Sequence, residues 1–154
     1  MFNAMIVAVM LGLTVWYSAG RVDAGALAVH TAQQGQASAM AAYRQAVVAY
    51  FSAHPAQYQA APAPQLMAAS APMAQANQNS FANYRLADGT IVVYALSPQP
   101  GLTAELLALS HRSSMVGQFS AGFFRPALSA VPSAIATPAL AIPNGGPVWL
   151  AAAN

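Results

Sequence analysis

The chain has 154 residues, a formal net charge of +2 and only 5% charged residues, whereas soluble domains carry about 25%. Its length suffices for one small domain beside an anchor and is too short for two independent cores. The absence of cysteine excludes disulfides and thiolate metal sites, and five scattered arginines give no support for direct nucleic-acid binding.

The first element is an uncharged apolar segment, Phe2 to Ala19, which predicts a transmembrane helix. Eighteen residues at about 1.5 Å each span roughly 27 Å, close to the roughly 30 Å hydrocarbon core of a bilayer. Trp16 and Tyr17 suit the headgroup level at its far end. We therefore predict an anchor over residues 1–20. The alternative is a signal peptide cleaved after Ala24, although no Lys or Arg precedes its apolar core.

Small residues recur every four positions in this anchor, at Ala4, Ala8 and Gly12. Such a face lets a second membrane helix approach closely, so these three are candidate helix-packing or partner contacts. The alternative is that small residues are common in any alanine-rich helix. Charge leaves the membrane orientation open, because Arg21 is the one nearby cation.

A long periplasmic helix is predicted over residues 21–54, since the segment is rich in Ala, Gln and Met and Pro55 ends it. Gly35 is a plausible bend. Its larger side chains repeat every three or four positions, which predicts one stripe: Val29, Gln33, Gln36, Met40, Tyr43, Val47, Tyr50 and His54. We expect its glutamine-rich half to be solvated or paired with a partner helix, and its aromatic half to pack on the head.

The candidate helix-packing or partner contacts of this stripe are Met40, Tyr43, Val47 and Tyr50. Two interpretations remain open for them, an amphipathic helix that covers its own core and an interface with another subunit. Residues 55–80 consist of Ala, Gln and Pro without charge, which predicts a linker or extended excursion.

The predicted head, residues 81–154, begins with a hairpin whose strands run over 82–87 and 90–96. Its turn would be Asp88-Gly89, a pair typical of type I′ turns. The second strand is almost wholly apolar, which predicts a central strand buried on both faces.

A short helix is predicted next, over residues 103–112, with Thr103 as its N-cap and Arg112 in its last turn. Leu106 and Leu109 should face the sheet, and Leu102 is a further candidate. Two short strands or one bulged ribbon should follow near residues 115–124. A proline-rich extended stretch then leads to a turn at Asn144-Gly145-Gly146 and a final strand over 148–150, anchored by Trp149.

Catalytic chemistry has little support in this sequence. Three acids and three histidines are spread over distant segments, without a metal-binding spacing or a GxSxG nucleophile motif. We therefore expect no enzyme activity, no catalytic residues, no metal and no cofactor. A small hydrolase using His111 and Ser113 is the remote alternative.

Four stretches of this chain resemble the PilM family of conjugative, type IVb-like pilus biogenesis proteins. They are the A-M-A-A-Y-R-Q-A-V-V-A-Y run at Ala39 to Tyr50, Pro100-Gly101-Leu102, Val116-Gly117, and Ile142-Pro143-Asn144-Gly145. The resemblance implies an inner-membrane component of a pilus assembly or DNA-transfer apparatus, and it carries no active-site residues.

Together these features predict an α+β protein, with a transmembrane helix continuing into a long amphipathic helix packed on a small, mostly antiparallel sheet. We expect a single-pass protein of the bacterial inner membrane with its head in the periplasm. Its partners would be other pilus or secretion-system subunits, the membrane and further copies of itself. The alternative is a secreted or periplasmic binding module released by signal cleavage.

Overall fold

The computed structural model describes residues 2–61, 80–129, 133–136 and 142–152, with side chains over 28–61, 80–129 and 142–152. The chain forms two compact units, Met1–Ala32 and Gln33–Asn154. No helix in the described part of the chain is both long enough and apolar enough to cross a membrane. The side chains of the predicted anchor, including Ala4, Ala8 and Gly12, lie outside the described residues, so those assignments stay predictions.

One helix, α1 (Phe2–Ala53), covers the whole predicted helical region. It passes through Gly35, and it stops where Pro55 forces the preceding residue out of the helical region, as predicted. The last helical hydrogen bond runs from the His54 N–H to the Tyr50 carbonyl at 3.0 Å.

The second unit contains a six-stranded antiparallel sheet with the order β1-β2-β6-β3-β4-β5. The strands are β1 (Phe81–Arg85), β2 (Thr90–Ala95), β3 (Val116–Ser120), β4 (Phe123–Pro126), β5 (Ser133–Ala136) and β6 (Pro147–Ala152). A second helix, α2 (Leu102–Leu109), separates β2 from β3. The predicted α+β class and antiparallel sheet are therefore correct.

The last strand lies inside the sheet and not at its edge. β6 pairs with both β2 and β3, while β2 is second from one edge. β2 lies inside the sheet between β1 and β6, and its predicted burial on both faces is confirmed, but it is not the middle strand of the order. Both strands are mostly apolar, so composition alone does not say which of them lies nearer the middle.

The two faces of the sheet have separate apolar clusters. One face packs against α1 and α2 and includes Ile91, Val93 and Trp149. The opposite face gathers Val92, Tyr94, Phe119, Phe124, Ile142, Val148 and Leu150. This alternation along β2 follows from the period of two in a strand.

The type I′ turn lies in the second hairpin and not in the first, where it was predicted. In the β1–β2 loop only Gly89 has positive φ, at 88°, and its N–H donates to the Leu86 carbonyl at 3.0 Å. This is a three-residue loop ending on a left-handed glycine, so the predicted type I′ turn is wrong. The two-residue β3–β4 loop has positive φ at both Ala121 (51°) and Gly122 (88°), which a type I′ turn requires.

Helix α2 begins and ends differently from the prediction. Its N-cap is Gly101 at φ 85°, and not Thr103, whose hydroxyl accepts a hydrogen bond from Gln118 Nε2 at 3.3 Å. Leu102 and Leu106 are buried, while Leu109 is exposed and does not face the sheet as expected. Arg112 lies beyond the helix.

The start of the predicted linker is attached to β1. Gln59 exchanges two backbone hydrogen bonds with Arg85, of 3.2 and 2.9 Å, and Ala61 is buried. This attachment covers part of an edge that would otherwise present unpaired backbone groups. Residues 62–79 of the predicted linker lie outside the described residues.

Candidate interaction surface

The four predicted contact residues of α1 are core residues of the second unit. Met40, Tyr43, Val47 and Tyr50 are all buried in the cluster between α1 and the sheet. Their spacing of three and four places them on one side of the helix. Their burial leaves these four side chains little surface for contact with another subunit.

The glutamines of the stripe bind the loop that precedes α2. Gln33 Nε2 donates to the Pro100 carbonyl at 2.6 Å. Gln36 Nε2 donates to the Ser97 carbonyl at 3.0 Å, and its Oε1 accepts the Gln99 N–H at 3.0 Å. Both glutamines are half-buried, so this half of the stripe is solvated only in part, and pairing with a partner helix stays a prediction. Gln33 and Gln36 fix the loop onto α1, whereas Val29 is 56% exposed.

A buried polar junction joins α1, β1 and the segment after α1. Asn83 Nδ2 donates to the Tyr43 hydroxyl at 2.7 Å, and Asn83 Oδ1 accepts the Ala61 N–H at 2.8 Å. Burial raises the pKa of Tyr43 above its ordinary value of 10.0, against the opposing effect of the Asn83 hydrogen bond. Burial therefore favours the neutral form of Tyr43, and the Asn83 hydrogen bond gives its buried hydroxyl a partner.

Arg85 is a buried cation used for structure. It is 8% exposed, and its Nη1 donates to the carbonyls of Pro55 and Gln57 at 3.0 and 3.1 Å. Its guanidinium lies 5.5 Å from the Phe51 ring centroid and 5.1 Å from that of Tyr58. Nε has no hydrogen-bond partner. Aromatic faces and carbonyl oxygens thus replace the usual carboxylate.

Arg44 ties α1 to the interior strand β6. Its Nε and Nη2 donate to the Leu150 carbonyl at 3.2 and 3.1 Å, and its guanidinium lies 4.9 Å from the Trp149 ring centroid. Burial lowers the pKa of Arg44. Sequence reasoning missed both structural arginines, because the carbonyls that they bind are distant along the chain.

In the described part of the chain, no group of three His, Cys, Asp or Glu side chains could hold a metal ion. His30 lies in α1, His54 follows its end, and His111 follows α2.

A groove of about 360 Å³ lies between α1 and α2. Its lining is Gln34, Ala37, Ser38, Glu105, Ala108 and Leu109. Three of these side chains are small, so the backbone of a docked segment could come close to both helices. A second cavity, of about 460 Å³, lies beside the N-terminus of α2 and is lined by residues 98–104, Gln118, Gly145 and Pro147.

The C-terminal end of α2 has an unusual backbone. The Arg112 N–H donates to the Leu107 carbonyl at 2.7 Å and the His111 N–H to the Ala108 carbonyl at 3.3 Å, which is the pairing of a Schellman motif. Glycine normally takes the left-handed position of this motif, but here it is His111, at φ 53°. Arg112 is also left-handed, at φ 61°. Each such residue costs about 1 kcal/mol.

Exposed apolar side chains flank this turn. Leu109 precedes it and Met115 follows it, and each is 45% exposed. Hydrogen bonds from the Ser113 N–H to Ser110 Oγ (3.3 Å) and from the Met115 N–H to Ser113 Oγ (3.2 Å) hold the turn in place. We call the set of Leu109, His111, Arg112 and Met115 the α2 corner. The amphipathic pattern predicts Leu109 in the core, so no local pattern indicates this surface.

Comparison with known proteins identifies related sequences and a related fold. Residues 5–150 match the family described as PilM. A crystal structure described as that of PilM from Escherichia coli B7A superposes with a TM-score of 0.57 at 22% sequence identity. The match covers 79% of this chain and 94% of the other. None of the curated proteins matches significantly.

Proposed function

Because this chain belongs to the PilM family, as its resemblance predicted and the match over residues 5–150 shows, we propose that it is a non-enzymatic inner-membrane component of a pilus assembly or DNA-transfer apparatus. Membership of the family fits a role connected with pili. The apparatus, the membrane location and the action through protein contacts are our proposal. Its partners would be other subunits of that apparatus, without direct nucleic-acid contact.

The continuity of α1 is the observation that most supports this proposal. One helix includes both the apolar segment Phe2 to Ala19 and the residues whose side chains form the core against the sheet. An apolar stretch of this length suits a bilayer. The chain would therefore be fixed to the membrane by the same helix on which its folded unit is built.

The chemistry of the second unit supports binding rather than catalysis. Arg44, Arg85 and Asn83 use their polar atoms for internal contacts that join α1 to the sheet or to the segment after it. The exposed groove and α2 corner combine apolar surface with charged side chains of both signs. Such mixed surfaces are typical of protein interfaces.

Complementation of a deletion strain tests the proposal. The full chain should restore pilus number and DNA-transfer frequency, and so should a variant in which an unrelated single membrane helix replaces residues 2–19. Residues 25–154 exported behind a cleavable signal should restore neither. Normal pili and transfer in the deletion strain would contradict the role in assembly, and full restoration by the exported form would favour the released binding module.

A further inference from the structure

The α2 corner and the adjoining groove form one surface through Leu109, which belongs to both. We infer that this surface docks an amphipathic helix of another protein of the apparatus, and that the docked helix carries an acidic side chain opposite Arg112. This inference rests on the proposed function and adds the place and chemistry of its main contact.

The shape of the groove favours a helix. Its walls are two helices, and Ala37, Ser38 and Ala108 leave room for side-chain ridges of a third to enter. Leu109 and Met115 then offer apolar contacts of the kind that an amphipathic helix buries at spacings of three and four.

Charge favours an acidic partner. Arg112 is exposed, whereas Arg44 and Arg85 are held by carbonyls and aromatic rings of their own chain. An acidic side chain in the docked helix would pair with this cation as apolar surface around it is buried.

The backbone at the α2 corner supports a binding role independently. His111 and Arg112 both hold left-handed conformations that most side chains avoid. Such conformations concentrate at functional sites, where they fix the direction of a side chain. The Schellman motif requires a left-handed residue only at the position of His111. Helix capping therefore does not explain the left-handed conformation of Arg112.

Two other occupants fit less well. Recognition of anionic membranes uses clusters of about four to eight Lys or Arg residues, and this surface has one arginine and one histidine. A second copy of the chain would have to supply an acid from a helix. Asp88 lies in a hairpin loop, where its Oδ1 accepts the Thr90 N–H, and Glu105 lines the groove itself. Of the three acids of the chain, only Asp23 remains as one that a second copy could supply from a helix.

Photocrosslinking in cells tests the inference. p-Benzoylphenylalanine replaces Leu109 in the full chain, with Leu128, which has the same 45% exposure, as the matched control. A second probe at Met115 serves if the first variant does not restore pili in the deletion strain. We expect the Leu109 probe to crosslink another protein of the apparatus, within a helix that carries Asp or Glu beside apolar residues, and the Leu128 probe to miss that helix.

Charge reversal then tests the chemistry. Arg112→Glu should lower the crosslinking yield about fivefold or more, and reversing the acid of the partner should restore it. Arg125→Glu, at another exposed arginine, should change the yield less than about twofold. Crosslinks to lipid, to the Asp23 region of a second copy, or to the same helix with equal yield in both arginine variants would overturn the inference. The inference would also be overturned if the probe variants restored pili but gave no crosslink. That result would leave the proposed function unaffected.

Discussion

Asn83 Nδ2 donates a 2.7 Å hydrogen bond to the buried hydroxyl of Tyr43, forty positions earlier in the chain. The same amide accepts the Ala61 N–H through Oδ1. The Asn83 side chain on β1 therefore provides a hydrogen-bond partner for the Tyr43 hydroxyl on α1 and for the Ala61 N–H in the segment after α1. The junction depends on an amide, because it needs a donor and an acceptor on one side chain.

Asn83→Ala should be strongly destabilising. It would leave the Tyr43 hydroxyl and the Ala61 N–H buried without partners, at about 1–3 kcal/mol each. Urea unfolding of the full chain in detergent measures the loss. Gln45→Ala, on the exposed face of the same helix, should change the stability by less than about 0.5 kcal/mol. Equal losses of stability in the two variants would show that the hydrogen bonds of Asn83 do not stabilise the fold.

Gly117→Ala should prevent normal folding or cost several kcal/mol. A Cβ there would lie 2.1 Å from the Arg125 carbonyl oxygen and 2.7 Å from Phe124 Cε2, so β3 and β4 would have to separate. Gly35→Ala is the matched control, since a Cβ there meets nothing within 4 Å and alanine favours helix by about 1 kcal/mol. We therefore expect opposite shifts of the thermal midpoint, and an unchanged midpoint for Gly117→Ala would contradict the close approach.

Arg44→Lys should weaken the attachment of α1 to β6 although it keeps the charge. A lysine cannot reproduce the two donors that bind the Leu150 carbonyl or the planar contact with Trp149. We expect a loss of about 1 kcal/mol in the free energy of unfolding. Arg125→Lys, at an exposed position, should lose almost nothing in the same measurement.

Alkaline pH should destabilise the fold. Burial raises the pKa values of Tyr43 and Tyr94 in the folded chain above the ordinary 10.0. Their contribution is therefore complete below pH 10.0, and it is lost as the pH rises through the folded pKa values. Urea midpoints measured from neutral pH upward should fall above that value, and the fall should be shallower in Tyr43→Phe. A midpoint that is constant above pH 10.0 would contradict the assignment.

His111→Gly should raise the stability by up to about 1 kcal/mol, because glycine takes the left-handed position of a Schellman motif without steric cost. His111→Val should lower it, since a β-branched side chain fits this conformation badly. Thermal unfolding of both variants measures the difference. A gain with valine would show that the turn is not left-handed at this position.

Local signals in the sequence were enough for much of the fold. The end of α1 before Pro55, the hairpin around Asp88-Gly89 and the last strand around Trp149 each follow from propensities within a few residues. Sheet order could not be predicted in this way. β6 reaches the interior through pairing with β2, more than fifty positions away, and local composition does not encode that choice.

The interaction surface was harder to predict than the fold. The periodicity of α1 identified Met40 and Val47 as contact residues, and they contact the chain's own sheet. The sequence did not indicate the hydrogen bonds of Gln36, because the Ser97 carbonyl that accepts from it and the Gln99 N–H that donates to it are about sixty positions away. Leu109 fits an apolar helical pattern yet is exposed, because α2 is too short to bury its last turn.

The most direct test of the account is the N-terminal sequence of the chain recovered from carbonate-washed inner membranes. We predict that the protein resists extraction and retains Phe2–Ala19, because the apolar segment is an anchor and not a signal. A chain that begins near Gly25 and is recovered from the soluble periplasmic fraction would contradict the account.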